Sequence, residues 1–218
     1  CLDRTALVMC VLTTPSGEAV EVAPRTILRR QMEASRDLGA VPMLGSEIEL
    51  FMYRETYREA YEADYRDLHT HSPFAEDYSI QITTQDEVVV GDIRRALDAS
   101  GVPVEFSKGE AGAGQHEINL SYTDAIEMAD RNLIYKFAAK EIASRHGRSL
   151  TFMAKPSFAD VGSSCHVHVS LWDESRTSNL FADESDSLGM SAMFRHFPAG
   201  QIATAREFPL LLAPTVNS

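Results

Sequence analysis

The sequence predicts an α+β fold, and two kinds of hydrophobic pattern support this class. Polar and apolar residues alternate within Met43–Tyr53, Glu117–Leu120 and Cys165–Val169, and a period of two is typical of β-strands. Apolar residues recur at helical spacing over Val88–Ala99 and Thr123–Arg145, as expected for helices that bury one face. Strands and helices therefore occur together in one chain.

The composition is ordinary for a soluble globular protein. The chain has 218 residues, of which 44% are hydrophobic and 24% are charged, so it can bury a sizeable core. Its formal net charge of -12 argues against a nucleic-acid surface, which needs clustered Lys and Arg, and against anionic membranes. We find no apolar run near the length of a membrane span. Acidic residues gathered in one pocket would attract divalent cations.

The cysteines and the chain ends give two further expectations. Cys1, Cys10 and Cys165 are few, odd in number and far apart, so they predict a reducing, cytoplasmic setting rather than a disulfide framework. The chain begins with Cys1 instead of Met and stops at Ser218 directly after an apolar segment. We therefore expect a fragment of a longer protein.

The first elements are identified by their turn and breaker residues. Thr5–Leu12 and Ala19–Val22 flank a Pro-Ser-Gly turn and predict a strand pair,. Pro24 opens a helix that runs to about Leu38 and is stopped by Gly39. Glu47 and Glu49 lie two positions apart in the next strand, Met43–Tyr53, and so share one face.

A tyrosine stripe and two histidines follow this strand. Glu55–Asp67 predicts a helix that packs its aromatic residues on the body of the protein, which we favour over a ligand cage. His69 and His71 stand in a polar loop, where exposure is commoner than metal binding. The stripe consists of Tyr53, Tyr57, Tyr61 and Tyr65.

The second half predicts further helices and strands. Val102–Ser107 is a strand, Thr123 caps the long helix, and Leu150–Ala154 is a buried strand. Asp173–Gly189 is a polar surface loop, and Met190–Leu212 is helical with an interruption near Pro198. The expected core face of the long helix consists of Ile126, Ala129, Leu133, Phe137 and Ile142.

The segment Lys108–Leu120 carries two glutamates around a turn of small residues. Glu110 and Glu117 flank the sequence Ala-Gly-Ala-Gly, which lets the backbone turn tightly and approach a ligand closely. Glu117 and Asn119 share one strand face. This arrangement suits a cation or a phosphate-bearing ligand, but a solvated hairpin has the same pattern.

Three polar pairs stand where a sheet would otherwise carry apolar residues. At ~4 Å and an effective dielectric constant of ~20, each like-charge pair of carboxylates costs ~4 kcal/mol. Either the acids are scattered over the surface or cations neutralise them. Carboxylates with an imidazole suit Mg²⁺ or Mn²⁺, and two such ions could clamp a phosphoryl group. The pairs are Glu47/Glu49, Glu110/Glu117 and His166/His168.

Several of these motifs, in this order, resemble the glutamine synthetase family. The resemblance covers nearly the whole chain and implies an α+β catalytic domain with an antiparallel sheet lining a two-metal funnel. It also implies that residues 1–23 are the last strands of an N-terminal β-grasp domain and that 24–218 are the first portion of the catalytic domain. The matching segments are Glu47–Glu49, Glu110–Glu117, Lys155-Pro156, Gly162–Ser170, Asn179–Phe181 and Ala213–Ser218.

The resemblance implies roles for individual residues but assigns no catalytic acid or base. Glu49, Glu110 and Glu117 would hold one Mg²⁺ or Mn²⁺ ion, and Glu47 and His166 would hold a second. Further positions match residues near the nucleotide (Tyr122, His168 and Ser170) and near the substrate glutamate or ammonium (Gly162, Glu49 and Tyr78).

The implied reaction uses ATP to phosphorylate the side-chain carboxylate of glutamate, after which ammonia or a small amine displaces phosphate from γ-glutamyl phosphate. The resemblance further implies a homo-oligomer, a dodecamer in the family. We expect this portion alone to be inactive, because later parts of the family's active site lie beyond Ser218. A non-catalytic relative and a metal-dependent hydrolase are the alternatives, and the hydrolase lacks an obvious nucleophile or general base.

Two departures from the family pattern leave the acceptor open. Many ammonia-using bacterial members have one more residue between the two glutamates that match Glu110 and Glu117. The family loop usually carries Asn where this chain has Val161. The sequence Ser-Ser-Cys-His at 163–166 resembles relatives that join glutamate to polyamines or ethanolamine.

Overall fold

The computed structural model describes residues 6–213, which contain one five-stranded sheet with two long helices packed against one of its sides. The strands are β1 (Val41–Tyr53), β2 (Val104–Gly109), β3 (Gln115–Asp124), β4 (Ser149–Thr151) and β5 (Cys165–Trp172). The helices are α1 (Pro24–Asp37), α2 (Tyr57–Glu62), α3 (Ile80–Ala99), α4 (Ala125–Arg145), α5 (Ala192–Ala203) and α6 (Pro209–Leu212).

Strand β1 is the centre of the sheet. It pairs with β3 along one edge, and β4 and β5 share its other edge, while β2 extends the sheet beyond β3. Every pairing is antiparallel, as expected, and the α+β class is confirmed. The long β1 strand therefore brings residues of β3 and β5 to opposite sides of its own glutamates.

The two faces of β1 differ in polarity because side chains alternate along a strand. Ile48, Leu50 and Met52 are buried against α3 and α4 in the hydrophobic core. Glu47 and Glu49 point to the opposite side, which we call the acidic face of the sheet. Since directly paired residues share a face, Glu117 of β3, opposite Glu49, lies there too.

Helix α4 begins at Ala125, one residue later than it would if Thr123 were its N-cap. Thr123 belongs to β3, and Asp124 is the N-cap, with its carboxylate accepting hydrogen bonds from Ile126 N at 3.0 Å and Glu127 N at 3.5 Å. The prediction of Thr123 as the cap was therefore wrong. The pairing of β3 with β1 continues one residue further, to Asp124 opposite Met43, so the helix begins only at Ala125.

This cap gives a direct test. Asp124→Ala is expected to lower the free energy of unfolding by about 1 kcal/mol, because two helix amides lose their acceptor. Thr123→Ala is the matched control and is expected to cost less. Urea unfolding of both variants measures the difference, and equal losses would contradict the assignment of the cap.

The buried face of α4 differs from the expected one. Ile142 is buried, but Leu133 is 44% exposed and Phe137 is 61% exposed. The sheet side is instead formed by a row shifted around the helix, because a pattern rich in alanine does not mark one face uniquely. That row consists of Met128, Tyr135, Ala138, Ala139, Ile142 and Ala143.

The expected N-terminal strand pair is reduced to a single antiparallel bridge between Thr13 and Ala19. Thr5 lies outside the described residues. Leu7, Val8 and Leu12 are exposed, and a two-stranded ribbon without a covered apolar face is marginal in water. The assignment of residues 1–23 to a separate domain stays a prediction.

Helix α1 ends where the sequence predicts, whereas α3 begins eight residues earlier than predicted. Helix α1 ends at Asp37, and Gly39 has a φ of 73°, as expected for a glycine just beyond a helix. Helix α3 begins at Ile80 rather than Val88, because Ser79 caps it by accepting a hydrogen bond from Ile82 N. Its polar first turns hide it from a search for apolar periodicity.

The tyrosine helix is shorter than expected. Helix α2 ends at Glu62, and Asp64 and Tyr65 have positive φ values of 49° and 56°, which a helix cannot continue. The hydroxyl of Tyr57 donates to Leu150 O at 3.2 Å, whereas Tyr61 and Tyr65 are exposed and meet edge to face. The expected packing of the whole stripe was therefore wrong.

The C-terminal helical region is interrupted, but not at Pro198. That proline lies inside α5, and the break falls between α5 and α6 at residues 204–208. The expected strand over Leu150–Ala154 is three residues long, and residues 214–218 of the C-terminal motif lie outside the described chain. Within residues 6–213, none of the helices combines the length and the apolar character that a membrane crossing needs.

Candidate metal centre

Two groups of possible metal ligands share Glu117 on the acidic face. Glu49, Glu110 and Glu117 each place a carboxylate oxygen within 4.8 Å of the others, and Glu47, Glu117 and His166 place their ligand atoms equally close. The register explains this, since Glu49 pairs with Glu117 on β3 and Glu47 pairs with His166 on β5. The carboxylates are thus gathered rather than scattered.

Glu117 is the most buried member of either group. It is 4% exposed, and its one side-chain hydrogen bond comes from Asn119 Nδ2 at 2.9 Å. Burial raises its pKa above the ordinary value, and the nearby charges of Glu110 and Glu47 add to this effect, although Asn119 opposes it. The surplus of negative charge around Glu117 favours a cation.

Glu47 lies between His166, an expected metal ligand, and His168, which is expected near the nucleotide. Its carboxylate lies 2.9 Å from His168 Nε2 and 3.3 Å from His166 Nδ1. Both imidazoles stand more than half exposed on the same face of β5, as their spacing of two predicts. One histidine belongs to a ligand group, and the other faces the adjacent cavity.

That cavity brings together the three residues expected near a nucleotide. Tyr122, His168 and Ser170 line a space of about 330 Å³ together with Glu47 and Gly45. Ser170 Oγ accepts a hydrogen bond from Trp172 Nε1 at 2.9 Å. The cavity therefore lies against the Glu47 end of the acidic face and can take a ligand that reaches this carboxylate.

Glu49 is fixed by groups whose roles the sequence did not reveal. Its two carboxylate oxygens accept hydrogen bonds from Gln115 Nε2 at 2.8 Å, Ser164 N at 3.0 Å and Ser164 Oγ at 2.7 Å. The place of Gln115 between Glu110 and Glu117 was the available signal. These bonds aim Glu49 at Glu110 and Glu117 before any ligand arrives.

Gln115 joins three parts of the site. Its side chain is buried, and besides Glu49 its Nε2 donates to Gly162 O at 2.9 Å and to Ser163 Oγ at 3.2 Å. Its Oε1 accepts from Gly112 N at 2.9 Å. The side-chain amide of Gln115 thus connects strand β1, the turn that contains Gly112, and the Gly162 loop.

Gly162 sits where any side chain would collide with the backbone. A Cβ at this position would lie 2.8 Å from Ala154 O, which belongs to the backbone and cannot rotate away. The adjacent Ser163 N donates to the same Ala154 O at 2.8 Å, so the loop is closed tightly at this point. Val161, next to Gly162, is exposed, and its side chain lacks the amide that an Asn would place at this position of the loop.

Gly162→Ala is therefore expected to displace the loop. Since the family resemblance assigns this position to the substrate glutamate, the displacement is expected to raise the KM for glutamate about tenfold. Gly200→Ala is the matched control, because a Cβ there meets nothing within 4 Å. Steady-state kinetics of the full-length protein measure both. An unchanged KM in Gly162→Ala would show that the loop position does not matter for glutamate.

Tyr78 reaches Glu110 only through Lys108. The Lys108 ammonium group contacts the Glu110 carboxylate and lies 4.8 Å from the centre of the Tyr78 ring. Burial opposes the charge on Lys108, but Glu110 outweighs it and raises the lysine pKa. Tyr78 is exposed and has a φ of 54°. Lys108 was missed, although it directly precedes Gly109-Glu110.

The remaining candidate residues lie elsewhere. His69 Nδ1 lies 2.8 Å from Glu55, and His71 contacts Asp86; neither belongs to the two ligand groups of the acidic face. Cys10 and Cys165 are free, exposed thiols, whereas Cys1 lies outside the described residues.

Comparisons of sequence identify a family. A family model described as glutamine synthetase, catalytic domain, matches residues 21–218. The gamma-glutamylethanolamide synthetase of Streptomyces coelicolor is 41% identical over 216 residues, covering 99% of this chain and 46% of that protein. The glutamate–isopropylamine ligase of a Pseudomonas species is 33% identical over 216 residues, covering 99% and 47%.

A glutamine synthetase of Thermotoga maritima is 33% identical over 215 residues, covering 99% of this chain and 47% of that protein. The chain thus spans about half the length of these curated relatives. Among solved structures, ligand-free GmaS gives a TM-score of 0.81 at 28% identity, with 92% of this chain and 46% of that chain covered. The cryo-EM structure of Plasmodium falciparum glutamine synthetase gives 0.77 at 26%, with 96% and 45% covered.

Proposed function

Because the chain belongs to the glutamine synthetase family, we propose that it is part of an ATP-dependent ligase that joins ammonia or a primary amine to the side-chain carboxylate of glutamate through γ-glutamyl phosphate. One observation carries the proposal: two ligand groups meet at Glu117 on one face of the sheet. An incomplete portion of the enzyme can hold this arrangement because β1, β3 and β5 all lie within it.

Two divalent ions, Mg²⁺ or Mn²⁺, fit the residues present. Glu49, Glu110 and Glu117 would hold one ion, and Glu47 and His166 would hold the other, with Glu117 within reach of both. Oxygen-rich sites with few imidazoles suit these hard cations. The ions would supply positive charge that offsets the phosphates of ATP beside the glutamate carboxylate.

The chain's own residues divide the remaining tasks. Tyr122, His168 and Ser170 would hold ATP in the cavity beside Glu47, with the aromatic ring against the base or ribose. At the other end of the acidic face, Gly162 and Tyr78 would border the glutamate and the incoming amine. Glu49 lies between these ends and is fixed by Gln115 and Ser164, so it would also orient the substrate glutamate.

We further propose an amine larger than ammonia as the acceptor, and the names of two relatives and one residue of this chain support the choice. Two relatives are named for glutamate ligation to ethanolamine and to isopropylamine, and Val161 offers an apolar side chain beside the Gly162 loop. The proposal includes a homo-oligomer, as the family resemblance implies, and a cytoplasmic location, which the free thiols of Cys10 and Cys165 support.

The test is ATP-dependent phosphate release by the full-length protein with glutamate, Mg²⁺ and a panel of amines. Ammonia, ethanolamine, isopropylamine and a polyamine would form the panel. Release with one of the organic amines well above release with ammonia is the expected result. Release with ammonia alone would make the protein an ordinary glutamine synthetase.

Two controls make the result interpretable. His166→Ala removes a proposed metal ligand at an exposed position and is expected to stop release without unfolding the protein. His196→Ala, in α5, removes a histidine that belongs to neither ligand group and is expected to leave release unchanged. No release with any amine from a folded full-length protein would favour a non-catalytic relative.

A further inference from the structure

A second cluster of ligand-type side chains is buried under the other face of the sheet. Glu76, Asp86 and His116 are each 1% exposed or less, and their ligand atoms lie within 4.8 Å of one another. His116 lies between Gln115 and Glu117 on β3, so its side chain points away from the acidic face. The cluster is therefore separate from the two ligand groups described above.

The carboxylate of Glu76 has no hydrogen bond on either oxygen, although it is completely buried. Its Oε2 lies 3.4 Å from His116 Nε2 and so points into the cluster. A buried carboxylate without hydrogen bonds is among the most costly features in a protein interior. Burial raises the pKa of Glu76, with Asp86 adding to the effect and His116 opposing it. A cation bound inside the cluster would contact the oxygens that lack a hydrogen bond.

Each oxygen of the Asp86 carboxylate faces one histidine. Arg148 Nε donates to His71 Nδ1 at 3.1 Å, so a neutral His71 carries its proton on Nε2. That nitrogen contacts Asp86 Oδ1. The other oxygen, Oδ2, lies 2.8 Å from His116 Nε2. An outer chain of Arg148 and His71 that orients a carboxylate is a common support for metal ligands.

We infer that Glu76, Asp86 and His116 bind a divalent transition-metal ion in a buried site distinct from the proposed catalytic ions. Ligands bound about 2 Å from a tetrahedral ion lie about 3.3 Å apart. His116 Nε2 lies 3.4 Å from Glu76 Oε2, which matches this separation, and its 2.8 Å hydrogen bond to Asp86 Oδ2 would lengthen by about 0.5 Å when the ion replaces the shared proton,. One imidazole and two carboxylates suit Zn²⁺ or Mn²⁺. A cavity of about 170 Å³ that His116 lines between α3 and β2 offers a path of entry.

Such an ion would hold three segments together beneath the Glu110–Glu117 turn. Glu76 comes from the loop before α3, Asp86 from α3 and His116 from β3. The backbone of Glu76 already donates to Glu110 O at 3.0 Å, and Gly109 leaves room for Glu76, since a Cβ at Gly109 would lie 2.6 Å from it. The ion would thus stabilise the base of the turn. This inference does not depend on the proposed reaction.

The test is metal analysis of the full-length protein loaded with Zn²⁺ or Mn²⁺ and then dialysed with a weak chelator. The wild type is expected to retain about one ion per chain that Glu76→Gln loses. Glu33→Gln, at an exposed position of α1 outside all three ligand groups, is the matched control and should retain as much metal as the wild type. Equal metal content in the wild type and Glu76→Gln would overturn the inference.

Two further readouts keep the test decisive if the variant folds poorly. Anomalous scattering from wild-type crystals soaked in Zn²⁺ should place a peak within bonding distance of Glu76, Asp86 and His116. A strong chelator should lower the Tm of the wild type by more than it lowers that of Glu76→Gln, because both proteins lose any acidic-face ions but only the wild type loses the buried one. If Glu76 instead carries a proton, no anomalous peak appears at the cluster, and the chelator lowers the Tm of the wild type no more than that of the variant. Either result refutes the site.

Discussion

Glu117→Gln is expected to lower ATP-dependent phosphate release by the full-length protein by about 100-fold or more. Glu117 is the residue that both ligand groups of the acidic face share, so its loss affects both proposed ions. Glutamine keeps the shape of the side chain and can still pair with Asn119. Release should be measured at saturating ATP and glutamate, and over a range of Mg²⁺ and Mn²⁺ concentrations.

A stability measurement separates a lost metal site from a damaged fold. Because the pKa of Glu117 is raised by burial, the ionised carboxylate opposes folding as the pH rises above its usual pKa. The metal-free Glu117→Gln protein is therefore expected to melt higher than the metal-free wild type at pH 7, and the gap should shrink near pH 4.

Glu141→Gln, on the solvent side of α4, is the matched control for both measurements and should change neither. Full activity in Glu117→Gln would contradict its role as a ligand. A lower Tm of the metal-free variant at pH 7 would contradict the electrostatic account of Glu117.

Gln115→Leu is expected to lower phosphate release between about 10-fold and 100-fold, the range seen when the partner of a metal ligand is lost. Leucine is similar in size but removes the donor to Glu49 and Gly162 and the acceptor for Gly112 N. Leaving such buried groups without partners costs about 1–3 kcal/mol for each group. Glu49 and the Gly162 loop would lose their common support.

The kinetic pattern distinguishes positioning from general destabilisation. Gln115→Leu should raise both the KM for glutamate and the Mg²⁺ concentration needed for half-maximal activity, because it removes a support of the Gly162 loop and of the proposed metal ligand Glu49. Gln81→Leu, at an exposed position of α3, is the control. A lower Tm with unchanged KM and unchanged Mg²⁺ dependence would show that Gln115 is only structural.

The alternation of side chains made the acidic face predictable, but not its geometry. Glu47 and Glu49 share a face because a strand has a period of two, and the same rule placed His166 and His168 together. No local pattern says that β1 lies between β3 and β5. That register sets Glu49 opposite Glu117 and Glu47 opposite His166, and it comes from long-range pairing.

In three places the local sequence pattern did not determine the structure. Asp124 replaced Thr123 as the cap of α4 because the pairing of β3 with β1 continues to Asp124, opposite Met43, and the helix begins only after it. Pro198 remained inside α5, where it was expected to break the helix. The sequence did not predict the buried cluster of Glu76, Asp86 and His116. Glu76 lies in a loop and Asp86 in the polar first half of α3, and polar segments of this kind are usually solvent-exposed.

The central claim is that the acidic face holds two metal ions around Glu117. Anomalous difference density from crystals of the full-length protein grown with Mn²⁺ tests it most directly. We expect one peak bound by Glu49, Glu110 and Glu117 and another bound by Glu47 and His166. Density at neither position, in crystals whose protein releases phosphate in the presence of Mn²⁺, would contradict the account.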